Sequence, residues 1–295
     1  MKLVQPGILA DPAPAGRYLS FTLTHVSDAD LRAVLARLLE VADGERLVVG
    51  IGRSLVLRMD GEVPGLRSMP PYIGRGLDTP STPAALLCWL RGEDRGEITG
   101  RGRHLEALLK PAFRVMLRQD GFRHDHGRDL TGYEDGTENP HDNAATEVVT
   151  VTGQGAGMEG STFLAIQQWE HDFESFESFD PATRDNMIGR RKSDNEELED
   201  APESAHVKRT AQESFDPQAF MLRRSLPWVE GNRGGLMFTS FCNTLDAFEA
   251  QMDRMTGAED GIADALFQFS RVLNGGYFWC PGMTGGKLDL SLLNL

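Results

Sequence analysis

No two cysteines in this sequence stand close enough to form a metal or haem-attachment motif: Cys88, Cys242 and Cys280 lie far apart. Without a CxxC or CxxCH, a zinc ribbon and a covalently attached c-type haem are excluded, and the odd count suits a reducing compartment. No uncharged apolar run approaches the ~18–20 residues that span a bilayer. The opening MKLVQPGILADPAPAG carries one Lys and an apolar stretch broken by proline, and reads as no secretion signal. Basic residues are in deficit, with 30 Lys+Arg against 44 Asp+Glu and a net charge of −14. That sign repels a phosphate backbone and argues against general nucleic-acid binding. What remains is an ordinary globular composition, 40% apolar and 25% charged over 295 residues, enough for one large domain or two ordinary ones. The expectation is a soluble cytoplasmic protein with neither a nucleic-acid nor a membrane partner.

The chain repeats one pattern, a short apolar strand followed by an amphipathic helix. A strand over Tyr18 to His25 precedes a helix capped at Ser27, whose Leu31, Val34, Leu35, Leu38 and Leu39 form one apolar stripe. RLVVGIG, from Arg46 to Gly52, adds a strand, and Ala84 to Leu90 pairs with a helix from Arg103 to Leu109. In the second half, Thr162 to Trp169 leads into helical stretches between Asp172 and Gly189, with Asp180 and Pro181 as N-cap and first turn. Gly235 to Cys242 leads into a helix carrying Leu245, Phe248, Met252 and Met255, ending at Gly257. Corresponding strands start about 144 and about 151 residues apart, a repetition of element order without residue identity. This points to an α+β fold of two ferredoxin-like domains, a duplicated βαββαβ plan with antiparallel sheets and helices packed outside. The domains are expected at 1–145 and 146–295. One irregular α+β domain is the alternative.

Between the halves, Asp129 to Ala145 is rich in Gly, Asp, Asn and Pro and reads as a functional loop. Within it Gly132 and Gly136 bracket Asp135 in a G-x-x-D-G arrangement, which lets backbone approach a flat ligand and presents a carboxylate rigidly. A plain turn or a calcium-loop fragment is the alternative, although the alternating ligands of an EF-hand are missing. His124 and His126 could bind a metal, but in a polar segment they also suit solvent; His206, in ESAHVKRT, carries no local metal pattern. Arg223 and Ser225, in AFMLRRSLPW, have the spacing of one strand face, with Arg224 on the other. If buried, Arg223 requires an anion or reactive oxygen species as partner; an exposed edge strand is the alternative. The acidic stretch from Ser193 to Glu203 reads as a solvated loop.

Taken together, GYEDGTENP, MIGRRK, AHVKR, LRRSLP, GGLMF and LNGGYFWCP resemble the dye-decolorising peroxidases, and among them the shorter B-type enzymes. The resemblance spans nearly the whole chain. It implies two ferredoxin-like domains with a non-covalent haem b in the second. It implies His206 as the axial ligand of haem iron, with Asp264 hydrogen-bonded to its imidazole, and Asp135 and Arg223 as the distal catalytic pair. Arg190 matches an arginine on a haem propionate, Asn139 and Ser225 match residues of the distal pocket, and Phe238 matches one packed near the porphyrin. Gly136 and Thr137 belong to the loop beside the cofactor. The implied activity is reduction of hydrogen peroxide through a ferryl intermediate, with dyes, phenolics or other one-electron donors as reductants. Trp169, Trp228, Trp279, Tyr133 and Tyr277 become candidates for electron relay. Tyr133 stands where Phe is common, and Ser225 where some members have Asn, which removes the basis for inferring manganese oxidation. A homo-oligomer is expected, and no tail after DLSLLNL reads as a cargo-loading peptide. Two other functions stay open: haem handling, by iron release or porphyrinogen oxidation, and a haem-free ferredoxin-like binding protein.

Overall fold

Side-chain alternation along the first strand sets the frame of the fold. The structure, a computed structural model, describes residues 3–74 and 77–295. In β1 (Ala15–Leu23), Leu19 and Phe21 enter one core and Tyr18 the other, as a two-residue period requires. Helix α1 (Asp28–Val41) covers the first core with Leu31, Val34, Leu35 and Leu38. Its start is the expected one. Ser27 Oγ accepts from the Asp30 backbone N–H at 3.2 Å and donates to the Asp30 carboxylate at 2.7 Å, a cap that contributes ~1 kcal/mol.

The first half is completed by β2 (Leu47–Ile51), β3 (Leu86–Gly92), α2 (Arg95–Leu109) and β4 (Phe113–Phe122). Helix α2 starts at Arg95 rather than at the expected Arg103, with Asp94 accepting from the Glu97 N–H at 2.7 Å. Three glycines hide its first turns in the sequence. One of them, Gly102, packs closely on β1: a Cβ there would stand 3.0 Å from Arg17 Cδ.

The second half contains α3 (Asp142–Val149), β5 (Thr162–His171), α4 (Phe173–Ser178), α5 (Pro181–Ile188), β6 (Leu222–Arg223), β7 (Leu226–Glu230), β8 (Arg233–Cys242), α6 (Asp246–Met255) and β9 (Ser270–Cys280). Helix α3 occupies the end of what reads as loop in the sequence, burying Ala145 and Val149. The division expected at 145/146 falls inside it.

Strand order runs β4-β1-β3-β2 and continues β9-β5-β8-β6, with β7 also paired to β8. Every pairing in this sheet is antiparallel. With β6 and β7 counted as one strand interrupted at Arg224 and Ser225, since both pair along β8, each half places its fourth, first, third and second strand in the same succession, the ferredoxin-like plan. One bridge, Ile51 to Trp279, joins the two ladders. Opposite the helices, the halves share a second core in which Trp89 stacks on Phe241 with centroids 6.0 Å apart. Trp89, Trp228 and Trp279 are almost wholly buried; each large apolar side chain removed from water stabilises by ~1.5–3 kcal/mol. An amide chain also ties the halves: Gln168 donates to Gln119 at 2.9 Å and Asn274 donates to Gln168 at 2.6 Å. Among the described residues, no helix is long and apolar enough to cross a membrane.

Candidate active site

Between strands β5 and β8 on one side, and α6 with the turn His206–Arg209 on the other, lies a cavity. Its wall is largely apolar, from Trp169, Leu236, Phe238, Phe248, Met252 and Leu266. Strand β5 is buried along its whole length, and its two-residue period turns Gln167, Trp169 and His171 toward the cavity. On β8, Gly235 lets the sheet close: a Cβ there would fall 2.0 Å from the Trp169 carbonyl oxygen.

His206 opens its short helical turn and lines this cavity. Its Nδ1 meets Asp264 Oδ2 at 2.7 Å. Asp264 has no exposed side-chain surface, and its other oxygen accepts from the Leu266 N–H at 2.8 Å, so the carboxylate is fixed in place. Burial pulls the imidazole pKa down, but the charge of Asp264 and its hydrogen bond outweigh that and hold it above the ordinary value. Arg223 opposes this and Asp135 reinforces it, because both act on the same ring. With Nδ1 committed to Asp264, Nε2 is the nitrogen left for a ligand in the cavity. The turn itself is anchored by Arg209, which donates to Asp260 at 2.7 and 2.8 Å and to the Arg254 carbonyl at 2.6 Å.

Opposite stands the glycine loop. One oxygen of Asp129 gathers the backbone N–H groups of Thr131, Gly132 and Tyr133 at 2.9, 3.0 and 3.2 Å. Gly136 has φ +81°, and a Cβ there would lie 2.7 Å from Asn139 Nδ2, so both conformation and space require glycine. Asp135, between these glycines, lines the cavity. Tyr133 closes the base of the loop by donating to Asp185 at 2.5 Å; burial and the Asp185 carboxylate raise its phenol pKa.

Arg223 ends β6 and lines the same cavity. Its Nε is buried without a partner, and among the described residues no carboxylate reaches it within ion-pair distance. A half-buried guanidinium whose buried Nε is an unused donor calls for an anion or an electron-rich oxygen from an occupant. The Arg223 backbone is clamped by Asn139, whose Oδ1 accepts from the Arg223 N–H at 2.8 Å and whose Nδ2 donates to its carbonyl at 3.1 Å. Buried Gln212 makes a parallel tie, donating to the Glu138 carbonyl at 2.8 Å and accepting from the Met221 N–H at 2.8 Å.

The structure thus gathers His206, Asp264, Asp135, Arg223 and Phe238 around one cavity. Other expected residues lie elsewhere. Asn139 and Ser225 do not line this cavity; they line a wider outer cleft that shares Asp135, Arg223 and Leu236 with it. The face assignment also changes: the strand breaks after Arg223, and both Arg224 and Ser225 border the outer cleft. Ser225 Oγ accepts from the Thr239 N–H at 3.4 Å, and Arg224 donates to the Ile8 and Leu9 carbonyls at 3.2 and 2.9 Å. Gly136 borders the outer cleft as well, while Thr137 accepts from Asn195 at 2.9 Å. Arg190 is paired with Glu138 and, at 3.3 Å, with Glu197, so the acidic stretch is partly engaged rather than only solvated. Of the relay candidates, Trp169 and Tyr133 line the cavity. Trp228 donates to the Trp169 carbonyl at 2.8 Å, and the Tyr277 hydroxyl lies 3.0 Å from that of Tyr72. The sequence reading missed Gln167, His171, Leu236 and Leu266; only the alternation within QQWEH and GGLMF carries a signal for the first three.

Residues 126–285 match the family described as Dyp-type peroxidase, C-terminal. Among characterised relatives, the dye-decolorizing peroxidase of Brevibacterium linens is 28% identical over 93% of this chain and 79% of its own length. That of Mycobacterium tuberculosis is 29% identical over 93% of this chain and 87% of its own. Among solved structures, DyPB from Rhodococcus jostii RHA1 superposes with a TM-score of 0.86 at 26% identity, covering 94% of this chain and 95% of that one. Variants of the same Rhodococcus protein were solved in complex with haem. The family match covers more than half of the sequence, and this chain belongs to the Dyp-type peroxidases.

Proposed function

We propose that this peroxidase binds a non-covalent haem b through His206 and reduces hydrogen peroxide in the same cavity, where Asp135 and Arg223 act. The observation that carries the reading is a histidine backed by a fully buried carboxylate, sharing one cavity, whose wall is largely apolar, with an arginine whose Nε has no partner. The residues present fit the cofactor. Imidazole suits iron, the apolar wall suits a porphyrin, and the haem complexes of the Rhodococcus relative support the choice. When bound, haem supplies the iron and the conjugated ring at which the O–O bond of peroxide is reduced.

The chain's own groups do the rest. Asp264 accepts from Nδ1–H, which fixes the tautomer and gives His206 imidazolate character. Asp135 takes the proton from one peroxide oxygen and returns it to the other, as general base and then acid. Arg223 stabilises the negative charge that develops on the departing oxygen. Asn139 holds Arg223 through its backbone, a positioning role rather than a pocket contact. Arg190 would hold a propionate by exchanging one of its two glutamates. In this division, 146–295 carries the cofactor, and the Asp135 loop of 1–145 closes over it. The same reading has the enzyme act in the cytoplasm as a homo-oligomer on peroxide and a dye, phenolic or other one-electron donor. The three cysteines, all buried and free, are consistent with a reducing compartment. Arg223→Leu should slow the reaction with peroxide by roughly 10²–10³-fold in stopped-flow absorption, and an unchanged rate would remove its assigned role.

A further inference from the structure

The segment that follows α5 turns back on itself as a short hairpin. The Leu198 N–H donates to the Gly189 carbonyl and the Arg191 N–H to the Glu196 carbonyl, both at 2.9 Å, and a bridge pairs Arg190 with Glu197. The tip of this hairpin, Lys192 to Asn195, rests on the glycine loop. Asn195 has φ +59°, a left-handed conformation that Asn adopts more readily than most residues. From there its Nδ2 donates to the Glu134 carboxylate and to the Thr137 hydroxyl, each at 2.9 Å. One side-chain amide thus uses both of its N–H bonds, and they fall on either side of Asp135.

Other bonds seat the tip. Arg190 Nη1 donates to the Asn195 carbonyl at 2.9 Å, and Lys192 Nζ to the Thr131 carbonyl at 2.9 Å. Arg128 donates to the carbonyls of Gly132 and Lys192 at 2.6 and 3.2 Å. Gly132 itself has φ +90°, and a Cβ there would fall 2.5 Å from Lys192 Cε. The first glycine of G-x-x-D-G therefore makes room for the hairpin. Asp135, by contrast, has no side-chain hydrogen bond or ion pair among the described residues. Its N–H donates to the Gly127 carbonyl at 3.1 Å, so the carboxylate stands where the loop around it is held.

We propose that Asn195 is a positioning residue for the reaction with peroxide: it clamps the residues on both sides of Asp135 and so fixes where that carboxylate meets the substrate. The inference rests on the reading of Asp135 as the group that moves the peroxide proton. Misplacing a reacting group by about 1 Å can cost ~100-fold in rate. Exposed hydrogen bonds, in contrast, are replaced by water at little cost in stability. The clamp therefore weighs on rate more than on folding.

The test is Asn195→Gly, which keeps the left-handed backbone and removes the amide. Haem-loaded protein mixed with hydrogen peroxide in a stopped-flow instrument should react roughly tenfold more slowly. The haem absorption band, the melting temperature and the rate at which guaiacol returns the enzyme to its resting state should not change. Asn195→Asp, equal in shape but without the two donors, should repeat the loss. In an Asp135→Asn background, Asn195→Gly should cost nothing further, because a residue that acts through Asp135 is not additive with its removal. Full additivity, equal slowing of the peroxide and guaiacol steps, or an unchanged peroxide rate in both Asn195 variants while Asp135→Asn is slow would each overturn the proposal. An unchanged rate in Asp135→Asn would instead remove the reading of Asp135, and the clamp with it.

Discussion

Two histidines with aspartate neighbours line the same cavity, and they behave in opposite ways. His206 and Asp264 are in contact at 2.7 Å, while His171 Nε2 and Asp129 Oδ2 stand 3.9 Å apart. Asp264 has one oxygen free to serve its histidine, and although burial lowers the imidazole pKa, the charge and hydrogen bond of Asp264 outweigh it and raise the pKa. Asp129 gives one oxygen to the backbone of the glycine loop, its other oxygen stops short of hydrogen-bond distance, and burial wins over its charge, so the His171 pKa is lowered. His171 instead meets Ser270 at 2.5 Å through Nδ1 and keeps a buried Nε2 without partner. Both aspartates hold backbone N–H groups with one oxygen and turn the other toward a histidine; contact at 2.7 Å against a gap of 3.9 Å separates a ligand-orienting pair from a mere neighbour.

The two also enter stability with opposite signs. In the haem-free chain the His206–Asp264 pair contributes stability that is complete below pH 6.5 and lost as pH rises through the raised value. His171 refuses a proton that the unfolded chain accepts, so its cost grows as pH falls below 6.5 toward the depressed value.

The largest way to break this contrast is Asp264→Asn. It should cost ~10–100-fold in haem affinity or in activity, read from haem transfer to an acceptor globin and from the peroxide rate. An unaltered affinity and rate would make the pair merely structural. Next is Asp129→Ala, which should destabilise by about 1–3 kcal/mol, because several backbone N–H groups lose their acceptor. Urea denaturation measures this, and no loss would mean the loop holds itself. The smallest effect belongs to His171→Gln. It should cost about 1 kcal/mol for the hydrogen bond to Ser270 and leave the haem absorption band in place. It should also flatten the fall in melting temperature between pH 6.5 and more acidic values; a fall as steep as in the parent protein would assign the acid sensitivity elsewhere.

How far the sequence carried differs between elements for physical reasons. Strand-helix order was legible because β1 and α1 alternate and repeat cleanly, and Ser27 announces its cap. The first turns of α2 were not, since Gly96, Gly100 and Gly102 imitate a loop while one of them only makes room for Arg17. Helix α3 was concealed by the composition of the loop that precedes it. At the site, His206, Asp264, Asp135 and Arg223 were named through family likeness, because no local spacing links residues so far apart in the chain. Asn139 and Ser225 were named with them, but both border the outer cleft: Ser225 follows the end of β6 at Arg223, and the Asn139 amide is spent on the Arg223 backbone. No single-residue signal marks such a break.

The central claim, that a histidine backed by Asp264 carries the cofactor, is tested most directly by titrating haem into the purified protein and into His206→Ala while recording the visible spectrum. The account predicts saturable binding in the parent protein, with a sharp band near ~400 nm from ligated haem, and loss of that band in the variant. An identical, equally tight spectrum in both proteins would contradict it.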